Sequence, residues 1–184
     1  MNLKNNANYR IIDRFNVAEI ANEIAFLGDA IWALNETRQQ EHYHHKETKN
    51  IFMSDFPAEW VGNQYSLMKF FVSQKLNSLT DEVVSELESQ FNGKVGKCLY
   101  ISLPAGKKVY PHRDYGYYLT NVHRCHIPII TNDRVEFFLN GEIVNMITGV
   151  CYEINNFNEH GVDNKGDSDR IHLLVDIIPM TAFK

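Results

Sequence analysis

His112 and Asp114 stand two residues apart, His160 follows 46 residues beyond Asp114, and Arg170 comes ten residues later still. In an extended segment successive side chains alternate between faces, so His112 and Asp114 would point into one pocket. With His160 they would make two imidazoles and one carboxylate, the facial set that leaves open positions on an octahedral Fe(II). Arg170 offers a planar, permanently charged fork for a carboxylate. Open metal positions beside an anion clamp suit a 2-oxoglutarate-dependent oxygenase, in which the keto acid takes two positions and O₂ the third. An H-x-D tripeptide is common by chance, so the elements that position it matter.

The second half of the chain reads as strands. Lys97–Leu103, His123–Thr131, Val135–Leu139, Glu142–Met146, Val150–Asn155 and Ile171–Ile178 are short apolar or alternating runs. Asn140-Gly141 between two of them signals a tight hairpin. Short strands at this spacing predict a sandwich or jelly roll, mainly β with flanking helices. The first half is mixed. Asn16 with Glu19 has the pattern of a capping box, followed by Val17, Ile20, Ala21, Ile24 and Leu27 at helical spacing. A second helix is expected after Thr80, burying Val83, Val84, Leu87 and Phe91 and stopping at Asn92-Gly93. Trp60 to Val72 fits helix or strand equally. One domain over residues 1–184 is expected, with a helical or mixed part, 1–95, packing on a β-core, 96–180, that carries the metal site.

Composition excludes several classes. At 184 residues and 44% hydrophobic, the chain can bury a sizeable core. A net charge of -5 and a pI near 5.9 argue against general nucleic-acid binding. Cys98, Cys125 and Cys151 are an odd, widely spaced set, as expected of reduced thiols in a cytosolic protein. Met1 to Arg10 is polar and Asn-rich, without the apolar run of a signal peptide, and no stretch suits a bilayer. A soluble, cytoplasmic protein is the expectation; oligomeric state stays open. P-loop, Rossmann, zinc-protease and nucleophile-elbow patterns are absent.

Other side chains carry plainer expectations. His42, His44 and His45 suit a solvated or substrate-binding loop better than a metal tract. Arg38, His45 and Thr48 are candidates to read a substrate carboxylate or amide. His123 and His172 are expected off the metal face, and Trp32, Trp60, Tyr115, Tyr117 and Tyr118 as core or rim aromatics.

The run Arg124-Cys125-His126-Ile127-Pro128-Ile129, then Asn140-Gly141, Gly149, Tyr152, His160, Val162, Asn164, Gly166, Arg170, His172-Leu173 and Asp176, resembles the aspartyl/asparaginyl β-hydroxylase family. It is most similar to the bacterial branch that includes proline hydroxylases. The resemblance covers about residues 96–178, with a weaker match at His45-Lys46-Glu47-Thr48-Lys49-Asn50-Ile51. It implies a double-stranded β-helix (jelly roll, cupin-like) using Fe(II), 2-oxoglutarate and O₂. By position, His112, Asp114 and His160 would be the metal ligands. Arg170 would pair with the distal carboxylate of 2-oxoglutarate, and Arg124 and His126 would hold its metal-proximal end. One departure matters: the animal peptide hydroxylases of this family lack the carboxylate ligand, whereas this chain has Asp114, so their substrates are not carried over.

The expected function is hydroxylation of an amino-acid side chain, free or in a peptide or protein, with no nucleic-acid or membrane partner. The alternatives are a cupin-like metal or small-ligand binding protein and a metal-dependent hydrolase or isomerase on a similar barrel. A surface ion pair of Arg170 with Asp167 or Asp169, and solvent-facing strand ends at Arg124 and His126, are the plain structural readings of those residues.

Overall fold

Polar and apolar residues alternate from Arg124 to Ile127 and, with Leu174 the one exception, from Arg170 to Ile177. A strand turns such a pattern into two unlike faces. In the computed structural model, which describes residues 7–33, 40, 43–57, 59–62 and 64–183, both stretches are strands and they pair with each other. The elements in chain order are β1 (Tyr9–Arg14), α1 (Ala18–Leu27), β2 (Lys49–Asp55), β3 (Met68–Lys69), α2 (Gln74–Phe91), β4 (Gly93–Leu103), β5 (Lys108–His112), α3 (Tyr117–Asn121), β6 (His123–Ile130), β7 (Val135–Leu139), β8 (Glu142–Val144), β9 (Val150–Ile154), β10 (His160–Asn164) and β11 (Arg170–Pro179). Short 3-10 turns cover Asp29–Ala33, Tyr43–His45 and Met180–Ala182.

Seven strands form one antiparallel sheet in the order β1-β9-β6-β11-β4-β2-β3, and four form a second in the order β5-β10-β7-β8. Two apolar cores define the layers. Cys125, Ile127, Leu173, Val175 and Ile177 project from one face of the large sheet onto Ile20 and Ile24 of α1 and Leu76, Val83 and Leu87 of α2. On the other side, Leu103, Tyr152 and Ile154 of the large sheet meet Val109, Phe137, Leu139 and Val162 of the small one. This is a jelly roll, a double-stranded β-helix flanked by helices. The Asn140-Gly141 hairpin forms as read, with φ of 52° and 83° at its two residues, the left-handed values that a tight primed turn demands.

Several elements differ from the sequence reading. Helix α2 begins six residues before Thr80, at Gln74, where the extended Ser73 caps it by accepting from the Leu76 N–H at 3.0 Å. Its first turn is polar and exposed apart from Leu76, so apolar spacing does not reveal it. Thr80 lies mid-helix, sharing its hydroxyl with the Leu76 carbonyl and the Tyr100 phenol. The expected capping box of α1 does not close. Asn16 accepts from the Ala18 N–H at 3.2 Å, while Glu19 turns outward to Lys75 at 2.6 Å. Trp60 to Val72 is irregular among its described residues apart from β3. Strands β1 and β2, from the half read as mixed, join the large sheet. Strands β5 and β10 also went unread, because Pro111 and Gly161 interrupt them and neighbours on both sides, not local propensity, make β10 a strand.

Gly161 is where β10 lies closest to β5. A methyl group there would sit 2.9 Å from the Val109 carbonyl oxygen and 3.2 Å from the Pro111 nitrogen, both backbone atoms that cannot swing aside. Gly161→Ala is expected to push the two strands apart and destabilise the protein by about 1–3 kcal/mol, the usual cost of overpacking; urea denaturation would read this as a lower midpoint at unchanged slope.

Candidate active site

His112 ends β5 and His160 begins β10, and the two are direct cross-strand partners with ring centroids 4.3 Å apart. Asp114 lies just past β5, its backbone N–H donating to the Asn156 carbonyl at 3.0 Å. Its Oδ1 is 3.9 Å from His112 Nε2 and its Oδ2 is 3.9 Å from His160 Nε2. Each imidazole is oriented from behind: His112 Nδ1 lies 2.8 Å from the Tyr110 carbonyl and His160 Nδ1 2.9 Å from that of Asn158. A carbonyl only accepts, so Nδ1 carries the proton and Nε2 presents its lone pair, the arrangement that metal-binding histidines use. Burial, reinforced by His160, holds His112 down at about 3, and burial lowers His160 as well. Burial alone would raise Asp114, but the Arg124 guanidinium and the two imidazoles outweigh it and hold the carboxyl at about 2. The result is two neutral nitrogens and one ionised oxygen facing a common point, a donor set that fits Fe(II).

His44, His45 and His112 form a second cluster with ligand atoms within 4.8 Å of one another. His44 stacks on His112 at 4.0 Å with planes only 17° apart. An imidazole binds an ion in its own plane, and two near-parallel stacked planes do not share an ion. These rings instead wall the site, with His45 edge-on to His112 at 5.0 Å. His45 is buried and His44 half-buried, so this part of the segment is not the solvated face that the sequence suggests. Arg38 and His42 lie outside the described residues.

The site opens into a small cavity between the two sheets. His112 and His160 line it together with Arg124, His126, Arg170 and Leu174. Alternation along β6 and β11 is what brings them there: Arg124 and His126 face inward on β6, opposite Asp176 and Leu174 of β11. Arg170 is only 2% exposed. Asp167 pairs with Arg134 at 3.3 Å and Asp169 accepts from the Ala105 N–H at 3.3 Å, so the surface ion pair read as an alternative for Arg170 is not the arrangement found. Arg124 and His126 are buried rather than solvent-facing. Both ring nitrogens of His126 are buried with no hydrogen-bond partner among the described residues, and burial together with Arg170 holds the ring neutral. An unsatisfied buried polar group costs roughly 1–3 kcal/mol, so this ring marks a place for a polar ligand. A keto-acid dianion fits that place: a buried guanidinium and an imidazole donor share one cavity with the metal triad.

Four further side chains, two of them differing from the sequence reading, surround this site. His172 is not set aside. It shares the inner face of β11 with Arg170, whose Nη2 lies 2.6 Å from His172 Nδ1. His123 does sit apart, held to Glu153 at 2.6 Å and stacked on Phe91. Arg124 is turned toward carboxylates: Nη1 donates to Asp114, while Nε and Nη2 donate to Asp176 at 2.9 and 2.8 Å. Tyr118, read as a core or rim aromatic, is buried and donates to Asp176 at 3.1 Å. Counting by twos from Arg170 through His172 and Leu174 to Asp176 would have flagged this set.

A jelly roll carrying two histidines and a carboxylate at one end of its cavity defines the class of non-haem iron oxygenases. The profile of the aspartyl/asparaginyl beta-hydroxylase family matches residues 14–179, and the chain belongs to that family. Its fold is shared by a prolyl hydroxylase from Trichoplax adhaerens solved with a peptide fragment of hypoxia-inducible factor (TM-score 0.62, 11% identity, 95% of this chain and 85% of that one). It is also shared by an oxidoreductase of the 2OG-Fe(II) oxygenase family from Burkholderia pseudomallei (0.60, 11%, 93% and 84%). A third is the viral collagen prolyl hydroxylase of Paramecium bursaria Chlorella virus-1 in its 2OG complex (0.58, 10%, 97% and 99%). No curated protein sequence matches the chain. Family and fold together make it a 2-oxoglutarate-dependent hydroxylase.

Two predictions follow from this geometry. His112→Ala and His160→Ala should each abolish measurable Co(II) binding, whereas Asp114→Gly, which keeps both imidazoles, should weaken it without abolishing it; native affinity in Asp114→Gly would make Asp114 a bystander. The second concerns acid. His112 is held at about 3 against an ordinary value of 6.5, so the unfolded chain binds a proton that the folded one refuses. His126, His160 and His172 are lowered too. Stability of the metal-free protein should therefore fall steadily as pH drops below about 6.5, seen as a declining melting temperature between pH 6.5 and 4.

Proposed function

We propose that this protein hydroxylates an amino-acid side chain, free or within a peptide, using Fe(II), 2-oxoglutarate and O₂. The observation that carries the reading is the placing of a buried guanidinium, Arg170, and an unsatisfied imidazole, His126, in the cavity lined by His112 and His160, which group with Asp114. A metal-binding barrel without turnover needs no such anion clamp. In this reading His112 and His160 give the ion Nε2 and Asp114 gives an oxygen. When bound, the iron and keto acid supply the oxidation: 2-oxoglutarate is decarboxylated to succinate and one oxygen atom enters a substrate C–H bond.

The chain's own contribution is placement. Arg170 binds the distal carboxylate through charge-assisted hydrogen bonds, which its burial strengthens. His172 accepts from Arg170 and so holds the fork in place. His126 donates to the keto acid. Ile101, Val109, Phe137 and Val162 exclude water around it. The Tyr43–His45 turn, whose His44 ring stacks on His112, is read as a surface that an amino-acid or peptide substrate would contact.

The test is succinate formation that requires iron, oxygen and 2-oxoglutarate together, with a one-oxygen mass gain in an amino acid or peptide. No succinate under any combination would sink the reading. Arg170→Ala should weaken 2-oxoglutarate binding by about 2–5 kcal/mol, the range for truncating a buried charged hydrogen bond, while metal affinity stays near native. Arg170→Lys should restore only part, since an ammonium lacks the planar fork. Anaerobic calorimetry with 2-oxoglutarate separates the two.

A further inference from the structure

We propose that Asp176 is a positioning residue of the metal site, acting through Arg124 to keep the Asp114 carboxylate an effective anionic ligand. This rests on the reading of His112, Asp114 and His160 as metal ligands. Arg124 stands directly behind Asp114, bound to its Oδ2. That bond leaves Oδ1, the oxygen nearer His112 Nε2, to turn toward an ion. A guanidinium so close creates a difficulty for metal binding. Arg124 and Asp114 alone would be a neutral buried pair, and a divalent cation beside two neutral imidazoles would meet no net negative charge.

Asp176 removes the difficulty. It is wholly buried, the cross-strand partner of Arg124, and takes that guanidinium through two parallel hydrogen bonds at 2.9 and 2.8 Å. Two carboxylates and one guanidinium then leave the trio with one net negative charge, facing the metal point. The arrangement also fixes direction. Asp176 holds Arg124 on Nε and Nη2, so Nη1 is the edge presented to Asp114, and Arg124 cannot swing away into the cavity.

The chain invests further groups in Asp176. The Tyr118 phenol donates to it at 3.1 Å and itself accepts the Lys97 backbone N–H at 2.7 Å. Gly96 makes room for that phenol: a methyl group at residue 96 would collide with the Tyr118 hydroxyl. A backbone amide, a phenol, a carboxylate and a guanidinium thus form one buried chain ending on Asp114. Outer groups of this kind set both the orientation and the charge of a metal ligand.

Co(II) binding to the full chain, followed by calorimetry and by the visible spectrum of the bound ion, tests this without turnover. Asp176→Asn keeps size and shape but brings the trio to zero net charge; it should weaken Co(II) binding about 10–100-fold and alter the spectrum, with native circular dichroism. Arg124→Met combined with Asp176→Asn restores one net negative charge, now carried by Asp114 alone with the bound ion as its counter-charge, and it gives a second reading of the charge if the single variant does not fold. It should bind Co(II) more tightly than Asp176→Asn and within about tenfold of native. A merely structural Asp176 predicts the reverse order, because the double variant has lost more contacts. Native affinity and spectrum in Asp176→Asn, or a double variant that binds as poorly as His112→Ala, would overturn the proposal. If the native protein binds Co(II) no better than His112→Ala, the metal reading itself fails and takes this inference with it.

Discussion

Everything at the site depends on strand β11 lying between β4 and β6 in antiparallel register. Because side chains alternate, this single placement sorts two chemistries. Leu173, Val175 and Ile177 go outward to the helices, and Arg170, His172, Leu174 and Asp176 go inward to the cavity. A slip of one residue would send the charged set into the apolar core and the apolar set into the cavity, so the hydrophobic face enforces the register that chemistry needs. The polar residues are held in place by the burial of their neighbours, not by their own interactions alone.

The inner face carries a concentration of charge that would be costly if it were unorganised. Arg124, Asp114 and Asp176 are all buried. Removing one partner from such a group leaves an uncompensated charge, which is strongly destabilising. The arrangement holds because each charge meets an opposite one at hydrogen-bond distance, while His112, His126, His160 and His172 stay neutral. The cavity is thus prepared for two guests of opposite sign. A cation suits the His112–Asp114–His160 end, and an anion suits the Arg170–His126 side. A dianionic keto acid bound to a metal satisfies both at once.

Much of this was legible in the residues. The H-x-D spacing with a distant histidine and arginine pointed to the triad and clamp, and six strand runs in the second half matched strands closely, Val135–Leu139 to the residue. The failures share a cause. β5 and β10 carry the two histidines yet read as no strand, since Pro111 and Gly161 depress local propensity and only cross-strand pairing compensates. The first turn of α2 is polar because it faces solvent, so its start depends on Ser73 rather than on apolar spacing. Tyr118 was missed as a partner of the site because no local pattern links a helix tyrosine to a strand aspartate 58 positions away.

The sequence by itself determined the donor types, the alternation that gives each strand an inner and an outer face, and the membership of the family. These follow from residue identity and from a backbone period of two, which need no knowledge of distant contacts. Only the tertiary structure decided which donors meet. It set His112 opposite His160, closed β10 onto β5 at Gly161, laid His44 flat on a candidate ligand, and turned Arg124 toward Asp114 and Asp176. Those outcomes depend on strand register and on the balance of buried charges between segments far apart in the chain, quantities that no local stretch of residues contains.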